Sequence, residues 1–262
     1  MGNKELKKEN YFSKDSELWY MSYSQFKDFL ECEAQGLAIA EGRYEKPKGK
    51  ALLQGTYVDA YFSGEMDGCI KEHPELFKKD GTLRNEYAIL NDIIKSIEDD
   101  KIFHDEFYTG DSQRILTGEI IGVPFKGKID FLFDNKIVDM KCMASVDNVW
   151  SDEEHRKMPF YAYYKYDIQG AIYRELVRQT TGKKLPYYLI VATKESPSQH
   201  VAYRFSDEVL DEALALVEKL APRYQAIKNH EIEPVECGKC GYYGITHKFD
   251  ILDIVNITKE DM

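Results

Sequence analysis

Between Gly127 and Cys142 the chain carries Asp130, an eight-residue gap, and then Asp139-Met140-Lys141. Side chains alternate faces along a strand. If Asn135-Lys136 forms a two-residue loop that pairs Asp134 with Ile137, Asp130 falls opposite Lys141 and Leu132 opposite Asp139. Both carboxylates and the amine then project from one face. Ile129, Phe131 and Phe133 share the other face of the first strand, as Val138, Met140 and Cys142 do on the second. A one-residue slip would separate the acids. Asn tolerates the left-handed backbone of such a turn, although Lys in second position is not ideal.

Two carboxylates and a lysine on one face suit hydrolysis of a phosphodiester, an electrophile shielded by its own charge. Hard oxygen ligands hold Mg²⁺, or Mn²⁺ in its place, which neutralises developing charge and makes bound water a nucleophile. Asp130 and Asp139 could share the metal, with the backbone carbonyl of Met140 as a third ligand and Lys141 orienting the attacking water. The same pattern also suits an amphipathic hairpin whose charged face is merely solvated.

The elements that must position this hairpin follow from periodicity and breakers. Residues 1–20 lack a repeat and are expected to form an irregular arm. Ser24 is the expected N-cap of a helix to about Ala40, with Phe26, Phe29, Leu30 and Leu37 on its apolar face. A second helix is expected over residues 51–62, closed by Ser63-Gly64. A third covers 85–97, with Ala88, Ile89, Ile93, Ile94 and Ile97 as its stripe. Strands are expected at 113–121, 123–133 and 136–142. A long helix over 159–181, a buried strand at 187–193, a strand at 200–205 and a Ser206-capped helix to about Lys228 complete the order. That order implies an α/β protein with a mixed sheet flanked by helices. One domain is expected, with a core over 51–205, an N-terminal arm over 1–23 and a C-terminal helix and tail over 206–262.

Asp130 followed by Asp139-Met140-Lys141 resembles the D…(D/E)xK core of the PD-(D/E)xK nucleases, and the element order resembles their restriction-endonuclease-like αβββαβ core. Three further matches resemble the RecB-like and RecE-like branch. Glu119, on the strand before Asp130, stands where such nucleases often carry another acid. Gln169 and Tyr173 resemble the QxxxY motif on the helix after the core. Gly55-Thr-Tyr-Val-Asp59 resembles an upstream G-x-x-V-H element, with Asp59 in place of His. A carboxylate is an even harder ligand than imidazole, so that departure leaves metal binding open at Asp59. Taken singly, Gln169 and Tyr173 could simply pack as an i,i+4 pair, and Glu119 could be a surface residue.

The resemblance implies a processive 5′-to-3′ exonuclease on the ends of linear double-stranded DNA, assembled as a homo-oligomeric ring. It also implies work beside a single-strand annealing protein in phage recombination. A catalytically silent DNA-binding or assembly subunit of the same fold and an endonuclease with the same active site remain alternatives. Lys126, Lys128, Lys157, Lys165, Arg174 and Arg178 are candidates for a phosphate-binding groove, and the rings of residues 160–166 for base stacking.

Cys32, Cys237 and Cys240 resemble the iron–sulfur staple of some RecB-like nucleases, but a [4Fe–4S] cluster wants four thiolates and no further late cysteine follows. The cluster is therefore not expected. His247 could complete a Cys₃His zinc set, while free thiols are the plainer expectation. Five scattered cysteines in 262 residues do not form a disulfide framework, which fits a reducing compartment. No apolar run approaches the roughly 18 residues of a membrane span, and the N-terminus has no secretory pattern, so a cytoplasmic place follows. The net charge of -11 argues against general nucleic-acid binding and allows only a local basic groove.

Overall fold

The computed structural model describes residues 6–47, 49–249, 254 and 256–258. The stretch expected to be an irregular arm contains a short helix, α1 (Lys14–Trp19), capped by Ser13. The chain then touches the edge of the sheet, where the Met21 N–H donates to the Pro124 carbonyl at 2.8 Å.

The helix expected over residues 24–40 is two helices, α2 (Tyr23–Glu31) and α3 (Glu33–Ala40). Ser22, not Ser24, is the cap, its Oγ accepting from the Gln25 N–H at 3.2 Å. Cys32 is extended (φ -165°) and breaks the run. The break lets α3 fold back so closely that a Cβ on Gly36 would lie 2.8 Å from Phe29, an approach that one straight helix cannot make. Next come α4 (Lys50–Ser63), closed by left-handed Gly64, then α5 (Met66–Glu72), α6 (Ile89–Asp99) and α7 (Lys101–Phe107). The third expected helix thus begins at Ile89 rather than residue 85. Leu90, Ile93, Ile94 and Ile97 form its buried stripe, while Ala88 is exposed.

The strands are β1 (Asp111–Ile120), β2 (Val123–Leu132), β3 (Ile137–Met143), β4 (Val149–Ser151), β5 (Arg156–Met158), β6 (Tyr187–Thr193) and β7 (His200–Arg204). Five of them form one sheet in the order β1-β2-β3-β6-β7, and β4 pairs with β5 alone. The β3–β6 pair is parallel and its neighbours are antiparallel. The remaining helices are α8 (Phe160–Tyr163), α9 (Tyr166–Thr181), α10 (Asp207–Lys228) and α11 (Gly241–Thr246). The single helix expected over 159–181 is interrupted by Lys165, which adopts a left-handed conformation (φ 61°).

Alternation along the central strands explains the layers. Ile137, Leu189 and Val191 pack under α2, α9 and α10, with Phe26, Ile172, Leu176 and Val217. Val138, Met140, Ile190 and Ala192 pack on the other side, against Val58, Leu90, Ile93 and Ile97 of α4 and α6. The sheet is therefore a mixed one flanked by helices, buried on both faces at its centre, as parallel pairing favours. Among the described residues, no helix is long and apolar enough to cross a membrane.

The β2–β3 register differs from the two-residue loop expected. Leu132 pairs with Ile137 and Phe131 with Val138, and the Phe133 N–H donates to the Lys136 carbonyl at 3.0 Å, so the two-residue loop is Asp134-Asn135 rather than Asn135-Lys136. Lys136 explains the change. Its side chain is buried, ion-paired with Glu106 and set over the rings of Phe133 and Phe107. A side chain drawn inward so far cannot occupy the exposed tip of a tight turn. The displacement is two residues, so the side-chain faces of β3 are preserved.

One face assignment on β2 does change. Ile129 packs with the α9 layer and Phe131 with the α6 layer. Pairing with β1 runs through Arg114↔Ile129 and Ser112↔Phe131 but passes over Gln113, which is left-handed at φ 54°. The distortion sits opposite Asp130.

Candidate active site

The pairing of β2 with β3 ends at Phe131↔Val138, and beyond that pair the strands part. The side chain of Asp130 fills the gap. Its Oδ2 accepts from the Met140 N–H at 2.8 Å, so a carboxylate takes the place of a ladder carbonyl. Asp139, on β3, turns toward α9 and is 1% exposed. Its Oδ1 accepts from Gln169 Nε2 at 2.7 Å, and its Oδ2 is ion-paired with the Lys141 ammonium. Apart from that ion pair, Oδ2 has no hydrogen-bonding partner among the described residues. Lys141 Nζ also donates to the Met140 carbonyl at 3.2 Å and lies 5.6 Å from the centre of the Tyr166 ring.

Asp59 reaches this group from α4. Gln113 Nε2 donates to its Oδ1 at 3.0 Å. Burial, followed by the neighbouring charge of Asp130, pushes the Asp59 carboxyl well above the usual carboxylate range, against the pull of Lys128 and Lys141. Burial likewise raises Asp139, with Lys141 opposing and Asp130 adding to the rise. For Lys141 burial works downward, but Asp139 and Asp130 outweigh it, and the amine is held protonated beyond its ordinary range. Three acids thus share one space with one firmly cationic lysine.

Gln169 and Tyr173 join this site through α9. Gln169 Nε2 also lies 3.2 Å from the Tyr173 hydroxyl, which donates to the Lys128 carbonyl at 3.0 Å. Helix α9, β2 and β3 are thereby tied around Asp139. Gly170 makes the approach possible, because a Cβ there would stand 2.4 Å from the Tyr187 ring.

The structure brings together Asp59, Asp130, Asp139, the Met140 carbonyl, Lys141, Gln169 and Tyr173. Glu119 stays apart. It pairs with Pro124 near the hairpin tip, while Asp130 lies six residues further along β2, about 20 Å at the usual strand rise. The Glu119 side chain is exposed, and its backbone N–H and carbonyl are both held by the Gln179 amide. Gln113 stands by the acids instead. It went unnoticed because a lone polar residue in a strand carries no motif, though counting back from the Ile121-Gly122 turn sets it opposite Asp130.

Two of the expected groove cations are structural. Lys126 is wholly buried and donates to the Tyr11 carbonyl, Ser16 and Glu17, fixing α1 to the sheet. Arg174 is buried and paired with Asp207 and Asp211 of α10. Arg178 is paired with Glu175 on its own helix. Lys128, whose charge acts on Asp59, is the candidate the structure keeps beside the acids. Of the rings proposed for stacking, Phe160 is core and Tyr161 packs on Tyr203 and Phe205, whereas Tyr163 is exposed.

Two acids of a parted hairpin, a lysine two residues after the second, and a helix-borne Gln/Tyr pair are the arrangement expected of the PD-(D/E)xK nucleases. Residues 22–246 match the family model described as a PDDEXK-like domain of unknown function, DUF3799. The chain belongs to this PDDEXK-like family. Among solved structures, it is similar to the crystal structure of a "Putative exonuclease" from Eubacterium rectale, at 37% identity and a TM-score of 0.89. The match covers 99% of this chain and 98% of that one. No curated protein matches the chain. The family and this likeness support a nuclease, with the restriction-endonuclease-like fold to match.

Proposed function

We propose that the protein is a divalent-metal-dependent exodeoxyribonuclease, one nuclease domain that hydrolyses phosphodiester bonds from the ends of linear double-stranded DNA. The convergence of Asp59, Asp130 and Asp139 on Lys141 carries this reading. The donor set fits a hard cation: three carboxylates outnumber Lys141 and Lys128, and the buried Asp139 Oδ2 has only the Lys141 ammonium against it. Asp59, Asp130, Asp139 and the Met140 carbonyl would hold Mg²⁺ or Mn²⁺. When bound, such an ion neutralises phosphate charge and lowers the pKa of water.

The chain's own groups do the rest. The Met140 N–H and Gln113 amide fix the orientations of Asp130 and Asp59. Gln169 holds Asp139 by one oxygen and leaves the other turned toward Lys141. Lys141, kept cationic by its two acids, offers a proton donor to the attacking water or to charge building on the phosphate. The name of the Eubacterium rectale protein favours an exonuclease over an endonuclease. Strand polarity of 5′ to 3′, assembly as a ring, a single-strand annealing partner and a role in phage recombination complete the reading on the family resemblance alone, and a cytoplasmic place suits the five scattered cysteines.

Purified protein should release nucleotides from linear duplex DNA with Mg²⁺ or Mn²⁺ and leave covalently closed circles intact. Asp139→Ala should abolish release. Equal rates for wild type and Asp139→Ala would overturn the assignment, and cleavage of closed circles would make it an endonuclease.

A further inference from the structure

A second group of potential ligands lies away from the acids. Cys32, in the break between α2 and α3, meets Cys237 and Cys240 from the segment after α10. The three sulfurs lie within 4.8 Å of one another. Cys240 and Cys32 are 3.7 Å apart and all three are free thiols. His247 does not join them; it stacks on Tyr243.

The backbone meets the group of sulfurs at Cys240. The Tyr243 N–H donates to Cys240 Sγ at 3.4 Å. Three sulfurs so close cannot all ionise unless a cation lies among them.

Contacts around the group hold it in place without any ion. Glu33 accepts from the Val235 N–H at 2.8 Å and from Arg223, and the Arg43 guanidinium donates to the Tyr242 hydroxyl at 2.8 Å. The spacing itself selects among metals. Tetrahedral zinc with bonds of about 2.3 Å sets its sulfurs about 3.8 Å apart. A four-iron cluster puts each cysteine on a different iron, spreads the sulfurs more widely and wants a fourth thiolate. Cys69 and Cys142 cannot supply one, since both belong to the α6-side core.

We propose that Cys32, Cys237 and Cys240 bind a single thiophilic divalent ion of the zinc type, with solvent in the fourth position, stapling the C-terminal segment to α3. Each thiol that binds releases its proton to solvent, and no redox change is involved.

The test is titration of the reduced, chelator-treated full-length protein with Co²⁺, then Zn²⁺. We expect thiolate-to-cobalt charge-transfer absorption and tetrahedral visible bands at one equivalent, erased by one equivalent of Zn²⁺. Cobalt at the carboxylate site gives no sulfur charge transfer, so the two sites are distinguishable. Cys237→Ser and Cys240→Ser should lose that absorption while keeping the far-ultraviolet dichroism of the wild type. Absence of the cobalt spectrum in the reduced wild type overturns the proposal. So does isolation of the protein with iron and labile sulfide, or with a Cys32–Cys240 disulfide. The wild-type titration decides even where a variant fails to fold.

Discussion

Gln169→Leu separates the proposed chemistry from mere packing. Leu nearly matches Gln in volume, so the α9 helix and its contact with Tyr187 should survive. What disappears is the 2.7 Å hydrogen bond to Asp139 Oδ1 and the 3.2 Å contact with Tyr173. A hydrogen bond to a charged group contributes about 1.5–3 kcal/mol. Asp139 is 1% exposed, so solvent cannot replace the lost donor. Groups that orient metal ligands in this way typically change metal affinity or activity by about 10–100-fold when removed, which agrees with the hydrogen-bond range. We expect Gln169→Leu to release nucleotides from linear duplex about 10–100-fold more slowly at fixed Mg²⁺, or to need correspondingly more Mg²⁺ for half-maximal rate. Chemical denaturation should report a folded protein, and Tyr173→Phe, which keeps Asp139 hydrogen-bonded, should lose less. A Gln169→Leu enzyme with unaltered rate and unaltered metal requirement would refute the idea that Gln169 aims Asp139.

Three further outcomes follow from the same geometry. Glu119→Gln should leave the cleavage rate within about twofold of wild type, because surface changes away from a site rarely cost more than about 0.5 kcal/mol; a loss above tenfold would return Glu119 to the site. Asp59→His should keep activity but favour Mn²⁺ over Mg²⁺, since imidazole is a softer donor, as rates in the two metals would show. Lys228 should make stability rise with pH. Burial lowers its pKa from 10.5 to about 7, so above pH 7 the folded chain carries it neutral while the unfolded chain stays protonated up to about 10.5. Its contribution is complete above the unfolded value and lost as pH falls to 7, at most on the order of 5 kcal/mol. Lys228→Met should flatten that slope in urea titrations at pH 7 and 9.5.

What the residues disclose in advance is uneven. Alternation along β3 and the apolar stripe of α6 made the layers legible, because burial imposes the period directly. The family resemblance named Asp130, Asp139, Lys141, Gln169 and Tyr173, and the helix period put the last two on one face, but only the packing of α9 on the sheet carries Gln169 to Asp139. The placement of the β2–β3 loop did not follow, because it depends on Lys136 finding Glu106 and the Phe107 ring, contacts from a distant helix. The breaks at Cys32 and Lys165 were hidden for a similar reason: both lie in runs that look helical, and tertiary packing decides where each run ends. Lys126 and Arg174 read as groove cations because composition cannot tell a solvated cation from one bound inside. Glu119 followed the family pattern by position, and only the strand register shows how far it stands from Asp130.

The contacts of α10 and the segment beyond it bear on how the protein is made. Lys228 donates to the Tyr20 carbonyl, Arg223 grips Glu33, and Ala34 donates to the Val235 carbonyl. A ribosome delivers the first helices long before these partners, at about 5–20 residues per second. Until the last stretch emerges, α2 and α3 lack their clamps, and Tyr23, whose hydroxyl donates to the Tyr164 carbonyl, rests on a helix not yet anchored. Premature termination near residue 206 would therefore yield a chain with every acid of the nuclease centre and an unsecured roof over it.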